Sequence, residues 1–126
     1  MAAPQNVGPL ASVLLAIYST ITGLSHFVAV NYYRSLVPPW LPAPGLVVVA
    51  SGLAELVVAS LLYLPQTRAL GGWAAAALIT AFLAVWLDAL RRARADHPPL
   101  RTGRALTSLL VNIGYIAWAV YVALAQ

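Results

Sequence analysis

Twenty consecutive residues, GLVVVASGLAELVVASLLYL from Gly45 to Leu64, constrain this chain more than any other feature. At 1.5 Å per residue a helix of that length spans about 30 Å, the thickness of a bilayer's hydrocarbon core. The run is apolar on every face, whereas a helix on the surface of a soluble protein shows a polar side. It also holds one carboxylate, Glu55, near its middle. An acid at bilayer depth costs about 2.5–3.5 kcal/mol on insertion scales and normally faces the bundle interior or a polar cavity. Glu55 is therefore the first candidate functional residue, and the other segments are read for what they offer it.

Three more runs resemble the first: Leu10 to about Val30, Ala69 to Leu90 and Ala105 to Ala125. With 126 residues, 62% of them hydrophobic and 8% charged, the composition excludes an ordinary soluble domain. The predicted fold is all-α, an integral membrane bundle of four transmembrane helices in a single domain over 1–126. Its helices are expected at about 10–30, 45–64, 69–90 and 105–125. Gly8 and Pro9 suit a helix start, because proline fits the first turn. Asn31 to Pro44 carries Pro38, Pro39, Pro42 and Pro44 beside Tyr32, Tyr33 and Trp40, and reads as a helix-breaking interfacial loop. The connector PQTR, Pro65 to Arg68, is short, so the second and third runs should be antiparallel neighbours. The opening MAAPQNVGP lacks a basic stretch, so the first run is expected to stay in the protein rather than be cleaved.

The chain has no cysteine, which removes disulfides, thiolate metal sites and a cysteine nucleophile. His97 has no partner at ligand spacing. No metal motif, phosphate loop or nucleophile motif is present, so no metal and no resident cofactor are expected. All seven basic residues are arginine, which together with abundant alanine points to a bacterial source. Arg91, Arg92, Arg94, Arg101 and Arg104 cluster after the third run, Arg34 follows the first, and Arg68 stands alone on the other side. The positive-inside rule then puts the two longer loops in the cytoplasm and both termini outside a bacterial inner membrane. The Arg-rich stretch 91–104 reads as a topology determinant resting on anionic lipid, without nucleic acid as a partner.

Each run carries one polar line at helical spacing. The first has Tyr18, Thr22 and His26, the second Ser51 and Glu55, the third Thr80 and Asp88, and the fourth Ser108, Asn112 and Tyr115. In lipid such lines turn inward, which predicts a polar-floored cavity among the helices. His26 and Glu55 should differ in depth by about 10 Å or less. Asp88 precedes Arg91 and Arg92 by three and four residues, so an interfacial ion pair competes with a place at the site. Three readings remain open for His26 and Glu55: an acid–base pair, anchors for the head of a lipophilic ligand, or structural glue between helices. The favoured function is binding of a quinone-, sterol- or terpenoid-type molecule. Glu55 and His26 would sit at the polar end, with Asn112, Tyr115, Tyr18, Ser51 and Thr22 around them and Trp40 with the prolines as lid. An isomerase or hydrolase using Glu55 and His26 is the first alternative, and a small proton-coupled transporter the second. Gly52 and Gly71–Gly72 permit close helix contacts within one chain or between copies in a homo-oligomer.

The segments GLSHF (Gly23 to Phe27), LVPPWLPAP (Leu36 to Pro44), SGLAEL (Ser51 to Leu56) and LPQTRALGGW (Leu64 to Trp73) stand in the order and spacing of a known family. On them the chain resembles the DoxX-like family of small four-helix bacterial membrane proteins, over about half its length. Later, FLAVWLDAL (Phe82 to Leu90) replaces that family's Phe-Pro-Ala-Asn element. The resemblance implies a four-helix bundle and carries over only His26 and Glu55 as intramembrane polar elements. It also implies a link to membrane oxidoreductase assemblies or quinone chemistry, with a quinone as the cofactor such a chain could hold.

Overall fold

The computed structural model describes residues 7–96 and 99–126. The MAAPQN hexapeptide and His97 lie outside the described residues. Five helices run in order: α1 Val7–Val28, α2 Val30–Leu36, α3 Pro44–Tyr63, α4 Arg68–Asp96 and α5 Pro99–Leu124. A single 3₁₀ turn, Pro65–Thr67, joins α3 to α4, and no strand occurs among the described residues. α1, α3, α4 and α5 are each long and apolar enough to cross a bilayer. Large apolar side chains such as Leu10, Leu14, Ile17, Ile21 and Leu24 form an outward stripe on α1, and Leu46, Val49, Leu53 and Val57 do so on α3. Contiguous apolar surface on this scale is untenable in water and natural in lipid. The protein is an all-α, membrane-embedded four-helix bundle.

Two connections differ from the expected loops. The stretch after the first run contains α2, because proline restricts only itself and the residue before it. Pro38 thus holds Val37 extended (φ −63°, ψ 126°) and leaves Val30–Leu36 free to coil. The break between α1 and α2 falls at Ala29 (φ −106°, ψ 48°), so α1 stops short of Val30. The Arg-rich loop is largely helical too. RRARAD has no helix breaker, so α4 continues to Asp96 rather than ending near Leu90, and α5 starts at Pro99 rather than Ala105.

Around the bundle the order is α1, α3, α4, α5, with α1 on α3 and α4 on α5 as the closest pairs. Glycines set both approaches. A Cβ on Gly52 would stand 2.9 Å from His26 Cβ and 3.1 Å from the Gly23 carbonyl, so α1 and α3 cross at the Gly23–Gly52 pair. A Cβ on Gly72 would stand 2.7 Å from the backbone nitrogen of Ala123 and 2.9 Å from the carbonyl oxygen of Ala119. Gly71 packs likewise on Leu61 and Leu62, so all three glycines serve contacts within the chain. The apolar core of Leu15, Ala16, Val58, Leu62, Ala75, Ala76, Ala119 and Val122 fills the half of the bundle nearer the chain ends. There α1 and α5 meet, with the Trp118 indole donating to the Ala11 carbonyl (3.1 Å) and Tyr18 stacked on Tyr115 (ring centroids 4.0 Å apart). Arg68 caps α3 by donating to the carbonyls of Leu62 (3.1 Å) and Tyr63 (3.4 Å).

Candidate functional site: a cavity around Glu55 and His26

The other half of the bundle is not filled. A cavity of about 160 Å³ opens between α1, α3, α4 and α5, roofed by α2 and the segment after it. Its polar lining comes from Tyr18, Thr22, His26, Ser51, Glu55 and Asn112, and its apolar wall includes Phe82, Val85 and Trp86 of α4. The Gly23–Gly52 crossing brings α1 and α3 together one turn before His26 and Glu55, so the two side chains meet. Nδ1 of His26 lies 3.4 Å from Oε2 of Glu55, and both residues are buried.

Hydrogen bonding distinguishes the two groups. His26 Nδ1 is 2.7 Å from the Thr22 carbonyl oxygen. A carbonyl cannot donate, so Nδ1 carries the proton and Nε2 is the nitrogen left for a ligand. Because that proton points at Thr22, Glu55 Oε2 has no hydrogen-bond partner, although Glu55 is only 6% exposed. Several other intramembrane polar groups bond within their own helices. Ser12 donates to Gly8, Thr22 to Tyr18, Ser60 to Leu56, Thr80 to Ala76, and the Asn112 amide to Ser108. Lipid offers no water to make up the difference, so an unmade bond on a buried carboxyl oxygen costs about 1–3 kcal/mol or more.

Among the expected site residues, Tyr18, Thr22, His26, Ser51, Glu55 and Asn112 come together at this cavity. Tyr115 does not line it. It stacks behind Tyr18 and beside Trp118, closing the cavity toward the core. Trp40 does not form the lid, being 66% exposed, and the buried Pro38 lines the cavity in its place. Asp88 is outside the cavity as well. It accepts from Arg91 and from Arg92, each at 2.8 Å, and the Arg92 guanidinium reaches on to the Leu36 carbonyl (3.4 Å). The polar line of α4 therefore does not reach the cavity: Asp88 is buried on its arginine partners and Thr80 faces outward. At about 100° per residue, Thr80 stands roughly 160° around the helix from Phe82, and it is exposed.

Tyr33 is the main residue that sequence reasoning missed. Its ring stacks on His26 (centroids 3.9 Å apart, planes at 12°) and its hydroxyl is 2.6 Å from Ser25 Oγ. It follows His26 by seven residues, but the break at Ala29 lies between them, so helical spacing carried no signal for the contact. Phe82 also neighbours the imidazole, with centroids 6.2 Å apart.

These features define a class: a four-helix membrane bundle, packed in one half and hollow around a buried, partly unsatisfied carboxyl group in the other. The chain belongs to the family described as "Domain of unknown function (DUF8561)", whose profile matches residues 15–123 and so includes every residue of the cavity. Comparison with curated proteins and with solved structures returns no match.

Proposed function

We propose that this protein binds the head of a lipophilic small molecule, of the quinone, sterol or terpenoid type, in the cavity around Glu55. The observation that carries the reading is Glu55 Oε2, an acceptor without a donor at the wall of an open cavity. A ligand hydroxyl or ammonium placed there would recover about 1–3 kcal/mol, roughly 5- to 150-fold in affinity. A donor-bearing head, such as a sterol hydroxyl, a quinol or an amine, fits that need better than a carbonyl alone. The volume supports a further restriction. A cavity of about 160 Å³ is close to the roughly 150 Å³ that holds a benzene-sized molecule. One ring enters, and the remainder of the ligand lies toward lipid.

The setting of this reading is a bacterial inner membrane with both termini outside. The likeness to the DoxX-like family adds a role beside a membrane oxidoreductase, with the ligand as a quinone or quinol. The test is native mass spectrometry with lipid extraction on the wild-type protein beside Glu55→Gln. A quinone, sterol or terpenoid that co-purifies with the wild type and is lost from the variant supports the site. Bulk phospholipid alone in both overturns it.

The 3.4 Å approach of His26 to Glu55 favours a second reading, proton transfer on the bound head. An enzyme of that kind, an isomerase or hydrolase, would lose turnover in both Glu55→Gln and His26→Ala. A proton-coupled transporter would instead show proton-driven uptake in liposomes that depends on Glu55.

A further inference from the structure

Six of the seven arginines, Arg34, Arg91, Arg92, Arg94, Arg101 and Arg104, stand at the end of the bundle away from Arg68, and only Asp88 and Asp96 stand with them. Six cations against two acids leave +4 at that end, the whole formal charge of the chain. This charge is not spread evenly. Arg92 of α4 and Arg101 and Arg104 of α5 line one cavity of about 320 Å³, with Tyr32 and Ser35 of α2 opposite and Trp86 at its inner wall. Arg92 is held in place by Asp88, a carboxylate that it shares with Arg91, so the local balance stays positive. The cavity is separate from the one around Glu55 and meets it only at Leu36 and Trp86. It continues past Tyr32 and Arg104 into a groove between α2 and α5, lined by Leu100, Gly103 and Thr107. A Cβ on Gly103 would meet nothing within 4 Å, so the groove is open along the helix.

We infer that this Arg92–Arg101–Arg104 cavity is a binding site for the phosphate of an anionic phospholipid, whose glycerol and chains run along the groove between α2 and α5. Arg101 and Arg104 carry guanidinium forks suited to phosphate oxygens, and Arg92, held on Asp88 and the Leu36 carbonyl, adds positive charge beside them. The phenol of Tyr32 and the indole of Trp86 are the side chains that favour headgroup depth. Basic cavities between membrane helices on the positive side bind anionic headgroups in this way. The groove selects lipid over free phosphate, because a free anion would have no use for an open, partly apolar channel beside the arginines. The inference is independent of the ligand at Glu55.

The experiment is a native mass-spectrometric titration of the full chain in detergent with dioleoylphosphatidylglycerol and dioleoylphosphatidylcholine. The wild type should retain phosphatidylglycerol in preference. The double variant Arg101→Gln with Arg104→Gln should weaken that binding about 30-fold, from the effect of roughly one surface charge per arginine. Arg34→Gln with Arg94→Gln makes the same change of charge outside both cavities and should weaken it less than about 3-fold. Arg101→Lys with Arg104→Lys restores the charge and should recover most of the binding, which separates recognition from damage to the fold. Equal losses in the two glutamine pairs, or no preference in the wild type, would overturn the site. A lysine pair that binds no better than its glutamine counterpart would overturn it too. Displacement of phosphatidylglycerol by millimolar inorganic phosphate would overturn the lipid assignment and leave a free-anion site.

Discussion

The carboxyl group of Glu55 is held where it is poorly satisfied, and that has a measurable consequence for the unliganded protein. Oε2 has no hydrogen-bond partner, and His26 Nδ1, 3.4 Å away, is engaged by the Thr22 carbonyl. Replacing the side chain with an apolar one of similar size removes this buried, partnerless oxygen. Glu55→Met should therefore raise the thermal midpoint of the unliganded protein, by an amount corresponding to about 1–3 kcal/mol, while abolishing ligand retention. A midpoint that falls would mean that Glu55 is structural glue. Tyr33 gives a contrasting case, since its ring covers His26 and its hydroxyl pairs with Ser25. Tyr33→Phe keeps the stack and should cost about 1 kcal/mol in thermal or denaturant unfolding. Tyr33→Ala uncovers the imidazole and should cost about 3 kcal/mol or more, with ligand retention reduced as well. Glu55 and His26 could be read from the sequence because ionisable groups inside apolar runs are rare. Tyr33, Phe82 and Trp86 could not, because aromatic side chains facing a cavity are of the same types as those facing lipid or the headgroups. The partnerless state of Oε2 was also out of reach, since it depends on which way one imidazole proton points.

At the scale of the helices, contact distance is set by glycine, and the four spans do not tolerate a methyl group equally. At Gly72 the added Cβ would press on backbone atoms of Ala119 and Ala123, which cannot swing aside as a side chain can. Gly72→Ala should separate α4 from α5 and lower stability by about 1–3 kcal/mol. Gly114 lies on the same pair of helices, but a Cβ there meets nothing within 4 Å. Gly114→Ala should be neutral or stabilising by up to about 1 kcal/mol, from helix propensity alone. Thermal unfolding of the two variants side by side checks the pair, and equal effects would refute the close α4–α5 contact. α2 depends on a different device, the chain of contacts from Asp88 through Arg92 to the Leu36 carbonyl. Asp88→Asn should loosen that short helix without unfolding the bundle. Amide exchange over 30–37 should accelerate about 5- to 10-fold, the effect of losing roughly 1 kcal/mol, while exchange in α3 and α4 stays unchanged. The four long helices were legible because apolar length belongs to one segment at a time. α2 was obscured by the prolines around it, whose influence reaches back only to Val37. The helical ends of α4 and α5 were obscured by charge, which signals water but not irregular backbone.

For the molecule as a whole, what matters is the contrast between its two ends. At one end Gly8 lies against Ala125, Trp118 is bonded to Ala11, and Arg68 is committed to the carbonyls that finish α3. At the other, α1 and α5 are parted by the cavity, and six arginines stand at that end, three of them around a second cavity. The count of spans and the bias of charge could be taken from the sequence, since both are sums over segments. The order of helices around the bundle could not, nor could the emptiness of one half, because each depends on which faces pair. The charge contrast carries an expected orientation. Translocating a segment with several arginines is opposed, and the single Arg68 on the other side offers little resistance, so the Arg-rich end should remain in the cytoplasm. The chain has no cysteine, which makes single-cysteine labelling clean. Gln66→Cys sits in the 3₁₀ turn beside Arg68, and Arg94→Cys sits near the end of α4, both at exposed positions. In intact bacterial spheroplasts a membrane-impermeant maleimide should label Gln66→Cys nearly completely and Arg94→Cys only at background. Permeabilising the membrane should bring the two to equal labelling. The reverse pattern would place the arginines outside and would also remove the cytoplasmic leaflet as the source of the anionic lipid at Arg101 and Arg104.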